Sequence, residues 1–324
     1  MRPFSHINAA TLSEASDVMQ KDGAVAIAGG GDLLGALKDN ILPEYPKIVV
    51  NLKSIPDLSY IRIDGDTLKI GALTTLADIA RDTIVIDNVG ALVHAAGKAS
   101  SPTLREMTTI GGNLCQMPRC WYYRKLNNRF YCARKGGDKC FAFTGDNRYH
   151  SIFRGESFET APGVMKNCIA VNQGDIAPVL MVLAAKIRTT ERLIDAGDFF
   201  RVGKSTSTVL NRGEIITEIE IPLSEYTQKC RYMRFTFRKS IDFPIINLAI
   251  AADNKHKYHI CIGGVAPVPY RAAKAEALLE GHEITEELAT NAGSAAAEDA
   301  DPFDANSYKL QLVRVLVKRV LLTL

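Results

Sequence analysis

Apolar positions recur at helical spacing from Thr11 to Met19: Leu12, Ala15, Val18 and Met19 share a face, and Thr11 with Glu14 forms a capping box. The next apolar run, Ala24 to Ala28, breaks into Gly29-Gly30-Gly31-Asp32 before LLGALK, a strand, a tight turn and a helix. KIVVNL (Lys47 to Leu52) is a second strand, so the first 55 residues predict a small α/β unit. YIRID and TLKIGA follow as strands, a helix opens at Thr75 with Asp78 three residues on, and another spans Asn88 to Lys98. Periodicity lapses from SSPTLREM until Cys168, where CIAVNQGDIAPVLMVLAAKI reads as an extended entry and a helix beginning near Asp175. Past a Gly- and Ser-rich zone (197–212) the pattern is β-rich: EIITEIEIPL, RYMRFTFRK, LAIAAD and YHICIGGV. Helices at Tyr270–Leu279, Glu286–Ala297 and from Tyr308 onward close the chain, with Arg314 and Lys318 on a solvent-facing stripe of the last. The expected fold is α+β. A two-part domain over 1–212, a small α/β unit plus a larger sheet-and-helix unit, precedes a C-terminal α+β domain over 213–324.

Composition narrows the function more than the fold. At 324 residues the chain can bury two or three cores, and 47% hydrophobic with 23% charged is ordinary for a globular protein. A net charge of +3 argues against a nucleic-acid partner. The longest apolar stretch, Val179 to Ala185, is too short to insert across a membrane, and MRPFSHINAATLSEAS has no apolar core of signal-peptide length. A cytoplasmic protein is expected. Seven cysteines, an odd count with no export signal, disfavour disulfides and leave ligand, catalytic or buried roles. Cys230 and Cys261, alone in strand-like sequence, read as small buried hydrophobes.

Two glycine-rich turns carry candidate phosphate chemistry. Ala28-Gly29-Gly30-Gly31-Asp32 before a helix can present backbone N–H groups to a phosphate, because side chains would block the approach. Its spacing does not fit G-x-G-x-x-G, and the second strand ends at Asn51 without an acidic residue for a ribose, so a Rossmann NAD site is disfavoured. Thr108-Thr109-Ile110-Gly111-Gly112-Asn113 offers the same kind of donors plus two hydroxyls and an amide. Two such turns suit a dinucleotide gripped from both sides. GDFFRVGKS (197–205) resembles a P-loop with one residue too many and no strand before it.

The segment from Met117 to Lys166 holds ten Lys/Arg against four Asp/Glu, and ten of the 24 aromatic residues, Trp121 included. Within it lie Cys120, Cys132 and Cys140, with Cys168 just beyond; 11, 7 and 27 residues separate the four in turn. No C-x₂₋₄-C pair of a structural zinc site occurs among them, although Cys115 and Cys120 have four residues between them and keep zinc open. A [4Fe–4S] cube takes four thiolates from different directions, which spaced loop cysteines supply, while aromatics shield it and cations offset its charge. Cys115 and Cys168 both qualify as fourth ligand. The six histidines are scattered, with no acid–base pair for a stand-alone flavin oxidoreductase.

AGGGDLL, VVNLKSIPDL, LKIGALTTLADI, TIGGNL, GDIAPVLMVLAA, DFF, GEIITEIEIP and GGVAPVPYRA together resemble the FAD-binding medium subunit of the molybdenum hydroxylases, the xanthine dehydrogenase and carbon monoxide dehydrogenase family, over nearly the whole chain. The resemblance implies that Ile27, Ala28, Gly29, Gly30, Gly31, Asp32, Leu33 and Leu34 wrap the FAD pyrophosphate. Thr109, Ile110, Gly111, Gly112 and Asn113 would hold its second side, Asp175 would hydrogen-bond the cofactor, and Lys239 of FRKSIDFP would stand near the flavin ring. Gly31 replaces the usual threonine of GGTDLL, removing one hydroxyl. The stretch from PRCWYYR to HSIF is similar to the insertion of the subgroup with an additional cluster, which implies Cys120, Cys132, Cys140 and Cys168 as ligands. Within that subgroup it resembles first the 4-hydroxybenzoyl-CoA reductases and next the aldehyde oxidoreductases. The implied setting is a heterotrimer, with molybdopterin on a large subunit and two [2Fe–2S] clusters on a small one. A ferredoxin-like carrier would be steered by Arg119, Arg124, Lys125, Arg129, Arg134, Lys135 and Lys139, some of which could instead face the cluster.

Overall fold

β-Branched runs separated by glycine and polar turns fold as four sheets in a computed structural model that describes residues 1–153, 155–239 and 241–324. Arg154 of the cysteine insertion and Ser240 of FRKSIDFP lie outside the described residues. The first sheet is parallel, built from β1 (Ser5–Asn8), β2 (Ala24–Ile27) and β3 (Ile48–Asn51) in the order β1-β3-β2. The helix Leu12–Met19 has the expected Thr11 cap, its hydroxyl accepting from Glu14 N (3.1 Å), but the Glu14 carboxylate accepts from Ala10 N (2.7 Å), one residue before the position that completes a capping box. β1 carries no apolar alternation, three of its four residues being exposed, and is invisible in the hydropathy pattern.

Next in the chain come β4 (Ile61–Asp64) and β5 (Thr67–Gly71), the insertion hairpin β6 (Glu156–Ala161) and β7 (Val164–Cys168), then β8 (Lys186–Thr189), β9 (Leu193–Asp195) and β10 (Ile216–Pro222). Apart from the hairpin these form an antiparallel sheet in the order β4-β5-β10-β8-β9. Ile219 and Ile221 of β10 are wholly buried and join the helices Leu76–Arg81, Gly90–Lys98 and Ile176–Val182 in the largest core. The boundary expected at 212 precedes β10, which pairs with β5 on one edge and β8 on the other as the middle strand of this sheet. The helix expected over 88–98 runs Gly90–Lys98, and a separate helix that was not expected, Thr83–Asn88, precedes it, capped by Asp82, which accepts from Ile84 N and Val85 N.

The C-terminal sheet runs β11 (Cys230–Phe235), β12 (Ile246–Ala252), β13 (Tyr258–Gly263) and β14 (Tyr270–Arg271) in chain order. β14 occupies the start of the predicted Tyr270–Leu279 helix, which begins at Ala273. β12 is buried along its whole length, and its two-residue period separates two cores. Ile246, Leu248 and Ile250 pack against the C-terminal helices, whereas Ala249 and Ala251 face the core that contains Ile176–Val182. Small residues on that side let helix and sheet approach closely.

The aromatic, basic insertion is held as structure rather than loop. Asn306 Nδ2 donates to the carbonyls of Asn147, His150 and Ser151 (3.2, 3.3 and 3.0 Å), and Lys309 Nζ to those of Tyr149, His150 and Gly264 (2.9, 2.9 and 2.8 Å). Both side chains have no solvent exposure, and burial pushes the Lys309 ammonium down to about 7. Its three N–H bonds match three carbonyls, the full donor capacity of the group. Replacing Lys309 by Met keeps the stem and strands the carbonyls of Tyr149 and Gly264, while that of His150 keeps Asn306. We expect a loss of about 2–4 kcal/mol, read as a lower urea midpoint at unchanged slope in the purified full chain.

Candidate functional site

The two glycine turns touch each other. A Cβ on Gly29 would overlap the carbonyl oxygen of Met107, just before the second turn, so only glycine permits this approach. Gly30 has φ +72°, the left-handed region that glycine enters freely. β2 ends at Ile27, Ala28 follows, and Leu33 and Leu34 open the helix Leu33–Lys38. Among the described residues the backbone N–H groups of Gly29, Gly30, Gly31, Asp32 and Leu33 donate to no protein acceptor. Five consecutive free donors at a helix entry make an anion cradle.

The Asp32 carboxylate is turned to a different task. It accepts from Met117 N (2.9 Å), Arg119 Nη2 (2.9 Å) and Arg124 Nη2 (2.7 Å). Burial alone would raise its pKa, but the two guanidiniums outweigh burial and hold the carboxyl below its usual 3.8. Two cations on one carboxylate leave a surplus of positive charge beside the free N–H groups. Arg119 and Arg124 are two of the seven charges expected either to steer a carrier or to face the cluster; the structure pairs them with Asp32 instead. Sequence pattern carried no signal for the pairing, since 85 residues or more separate Asp32 from its partners.

The second turn works differently from expectation. Ile110 N donates to Thr74 O, Gly111 N to Ala72 O, Gly112 N to the Thr109 hydroxyl and Asn113 N to Thr109 O (2.9–3.2 Å). Its backbone donors are therefore spent inside the chain, and the predicted row of N–H groups is not available. What it leaves open is the side-chain oxygen of Asn113, buried without a partner. The Thr108 hydroxyl stands 3.1 Å from where a Cβ on Gly31 would lie. An orphaned buried amide oxygen facing the seam, and a free run of N–H groups, fit a ligand with both donors and anionic oxygens.

Asp175 is buried and accepts from the Tyr232 hydroxyl and from Arg234 Nη1 (3.0 Å) on β11. Burial pushes its carboxyl up to about 6 in spite of Arg234. Its neighbour Gly174 lies against Gln116 and Asn113, so Asp175 borders the second turn while pinning it to the C-terminal sheet. Lys239 is exposed, in the bend after β11. Within that bend Arg238 pairs with Asp242 (2.9 Å), and the Phe243 ring lies 4.2 Å beneath the Arg119 guanidinium. Both turns, the Asp175 seam and the Lys239 bend thus meet around Asp32 and Arg119.

A second centre lies inside the insertion. Cys120, Cys132, Cys140 and Cys168 all line one small cavity, together with Tyr122, Tyr123, Phe141 and Ala170. Cys115 is exposed and outside it. Cys132 stands just before the turn Ala133–Lys135 and Cys140 just before Phe141–Phe143, so the turn N–H groups point back at sulfur. Tyr123 N lies 3.5 Å from Cys120 Sγ and Ala170 N 3.4 Å from Cys168 Sγ. Burial pushes Cys120 up to about 12, Cys140 to about 11, and Cys132 upward. His150, buried, places Nε2 3.2 Å from Cys120 Sγ; burial, and then the Lys309 charge, push it down to about 4. Sequence reasoning missed this residue, because a lone histidine in irregular sequence has no pattern.

No three His, Cys, Asp or Glu side chains among the described residues converge on one metal ion. A tetrahedral zinc site needs sulfurs about 3.8 Å apart, whereas in a four-iron cube each thiolate takes its own iron and the sulfurs spread. The nearby cations divide. Arg134 and Lys135 are fully buried: Arg134 Nη2 donates to Thr206 O and the Ser207 hydroxyl, and Lys135 Nζ to Asn128 Oδ1 (2.5 Å), with the Tyr123 ring 4.6 Å away. Lys125, Arg129 and Lys139 alone of the seven proposed steering charges are exposed.

Residues 2–224 match the model of the FAD binding domain in molybdopterin dehydrogenase, and residues 231–324 that of the CO dehydrogenase flavoprotein C-terminal domain. The chain is 29% identical to the aldehyde oxidoreductase FAD-binding subunit PaoB of Escherichia coli, over 99% of this chain and 98% of that one. It is 24% identical to the glyceraldehyde dehydrogenase medium chain of Sulfolobus acidocaldarius, over 98% and 96%. In fold it is similar to a chain of quinoline 2-oxidoreductase from Pseudomonas putida (TM-score 0.74, 21% identity, 99% and 96% covered). Carbon monoxide dehydrogenase from Hydrogenophaga pseudoflava gives the same TM-score of 0.74, at 22% identity over 98% and 96%. No helix among the described residues is long and apolar enough to cross a membrane.

Two outcomes follow from the geometry. Gly29→Ala drives the two turns apart and Gly30→Val strains a left-handed residue, so both should weaken FAD binding by tenfold or more, at least ~1.4 kcal/mol. Gly112→Ala meets only the rotatable Thr109 hydroxyl and should cost less; flavin-to-protein ratios measure all three. Asp32→Asn should destabilise the full chain at pH 7. Because the folded carboxyl titrates below its usual 3.8, the wild-type advantage is complete above that value and disappears as pH falls through the depressed one. Urea unfolding of both proteins between neutral and acid pH reads the difference.

Proposed function

The chain belongs to the FAD-binding subunits of the molybdopterin dehydrogenases, and on that premise we propose that it carries both FAD and a [4Fe–4S] cluster and conducts electrons to or from a molybdenum partner on which substrate reacts. The observation that carries the cluster is the single cavity lined by Cys120, Cys132, Cys140 and Cys168. Arg134 and Lys135 support it: among the described residues neither pairs with a carboxylate, and a buried cation without an anion is costly. A four-thiolate cluster supplies the missing negative charge. For FAD, the N–H run from Gly29 to Leu33 holds the pyrophosphate, Asn113 Oδ1 accepts from the cofactor, and the Lys239 bend borders the ring. Gly111 and Gly112 act by shape, and Asp175 by pinning the seam.

When bound, FAD exchanges one or two electrons and the cluster one at a time. The chain's own residues fix where each sits: Asp32, through Arg119 and Arg124, bolts the insertion to the phosphate turn. In this reading the subunit works in a heterotrimer with a molybdopterin-bearing large subunit and a [2Fe–2S] small subunit. A ferredoxin-like one-electron carrier docks at the exposed Lys125, Arg129 and Lys139. The insertion motif favours reductive dehydroxylation of 4-hydroxybenzoyl-CoA, with electrons entering through this chain. The end-to-end similarity to PaoB favours the second reading, aldehyde oxidation with electrons leaving. Assay of the purified complex with reduced ferredoxin and 4-hydroxybenzoyl-CoA, against aldehydes with an oxidised acceptor, separates the two.

Serine at Cys120, Cys132, Cys140 or Cys168 should abolish the four-iron signal of anaerobically prepared protein and leave FAD bound, whereas Cys115→Ser should retain both. Iron loss in Cys115→Ser alone, or zinc in place of iron, would overturn the ligand set. Reversing Lys125, Arg129 and Lys139 should slow the ferredoxin reaction and flatten its dependence on ionic strength, while sparing activity with neutral dyes.

A further inference from the structure

We propose that His150 is a positioning and tuning residue for the cluster, donating a hydrogen bond from Nε2 to the Cys120 sulfur, and that the C-terminal helix sets this contact. The proposal rests on the cluster reading above. His150 Nε2 lies 3.2 Å from Cys120 Sγ, with both residues buried. A cysteine bound to iron has no S–H, so the hydrogen in this contact must come from the imidazole. That fixes the Nε2–H tautomer and leaves Nδ1 as a bare acceptor, consistent with Nδ1 being buried without a partner. The opposite tautomer would bury an unpaired Nδ1–H and set the bare Nε2 lone pair against an unprotonated sulfur, the costlier arrangement.

The ring is held in place from outside the insertion. The His150 carbonyl accepts from both Asn306 Nδ2 (3.3 Å) and Lys309 Nζ (2.9 Å), and His150 N donates to Asn147 O (2.8 Å). Asn306 and Lys309 lie immediately before and within the C-terminal helix Tyr308–Leu321. The helix thereby fixes the backbone from which the ring reaches Cys120. A hydrogen bond to a ligating sulfur stabilises the more negative, reduced cluster and raises its potential. His150 would hold the cluster easier to reduce than its turn N–H groups alone would.

The test uses the full chain, prepared anaerobically, with His150→Leu and His150→Gln beside wild type, read by iron content, electron paramagnetic resonance and redox titration. We expect four irons and FAD in all three, a shift of the midpoint to more negative potential in His150→Leu, and return towards wild type in His150→Gln, whose amide can donate. An unchanged midpoint in His150→Leu with four irons present overturns the proposal. So does an equal shift in both variants, which a merely structural role gives, or a three-iron signal in His150→Leu, which makes the ring a ligand. Absence of four irons from wild type itself overturns the cluster reading instead, and with it the premise of this inference.

Discussion

One carboxylate ties the phosphate turn to the cysteine insertion. Asp32 sits where the first glycine turn enters its helix, and its two oxygens receive Met117 N, Arg119 and Arg124 from the start of the insertion. If Asp32 faced a phosphate directly, it would repel it. Paired with two guanidiniums, it becomes part of a positively charged wall and frees five N–H groups beside it. The same pairing fixes the entry to the cysteine turns, with Arg124 also donating to Pro118 O and Met117 O (2.9 and 3.0 Å). Cofactor cradle and cysteine cavity therefore share one electrostatic joint.

The far end of the insertion is fixed by hydrogen bonds to backbone rather than by ion pairs. Asn306 and Lys309 take the carbonyls of Asn147, Tyr149, His150 and Ser151, the Tyr308 hydroxyl takes that of Arg148, and Ile152 N donates to Val265 O on the C-terminal side (2.9 Å). A third attachment runs through Arg134, whose carbonyl accepts from Ser205 N (2.9 Å). A segment with little apolar periodicity thus acquires order from three neighbouring units. Its own small core of Cys120, Tyr123, Cys132, Ala133, Phe158, Cys168, Ala170 and Val202 is too limited to fold alone.

Elements whose stability is local could be read from the sequence, and those decided by distant partners could not. The strand, glycine turn and helix at 24–38 follow from adjacent residues, as does the Thr11 cap. The second glycine turn looks equivalent in sequence, yet the carbonyls of Ala72 and Thr74, just after β5, consume the donors of Gly111 and Ile110, while Thr109 takes those of Gly112 and Asn113. β10 was legible as a strand, but its place between β5 and β8 rests on pairing across some 150 residues with β5 and was assigned to the wrong side of the boundary. The four ligand candidates were legible as residue types, and their shared cavity was not. Which of the seven basic residues face inward was not legible, because local sequence is blind to burial: Arg119, Arg124, Arg134 and Lys135 do, while Lys125, Arg129 and Lys139 are exposed.

Those two buried cations bear on why the cluster would sit here at all. Arg134 and Lys135 flank Cys132, and burial lowers the Lys135 pKa while the Cys132 and Cys120 sulfurs raise it. With neutral thiols the cations have only a carbonyl, a hydroxyl, an amide oxygen and a ring for company, and the Arg134 Nε has no partner. Burial likewise raises the thiol pKa of Cys120, Cys132 and Cys140. In the proposed cluster, thiolate formation on iron would remove both penalties together: Cys120, Cys132 and Cys140 would lose protons that burial made hard to lose, and the cations would gain the anion that burial made necessary. Assembly of the proposed cluster and closure of the insertion would then be linked equilibria, so iron should protect the segment 117–168 from proteolysis more than flavin does. Limited proteolysis of iron-free, flavin-loaded chain against the fully loaded form tests the linkage. Equal cleavage of the insertion in both forms would show that the protein anchors, not the metal, supply its order.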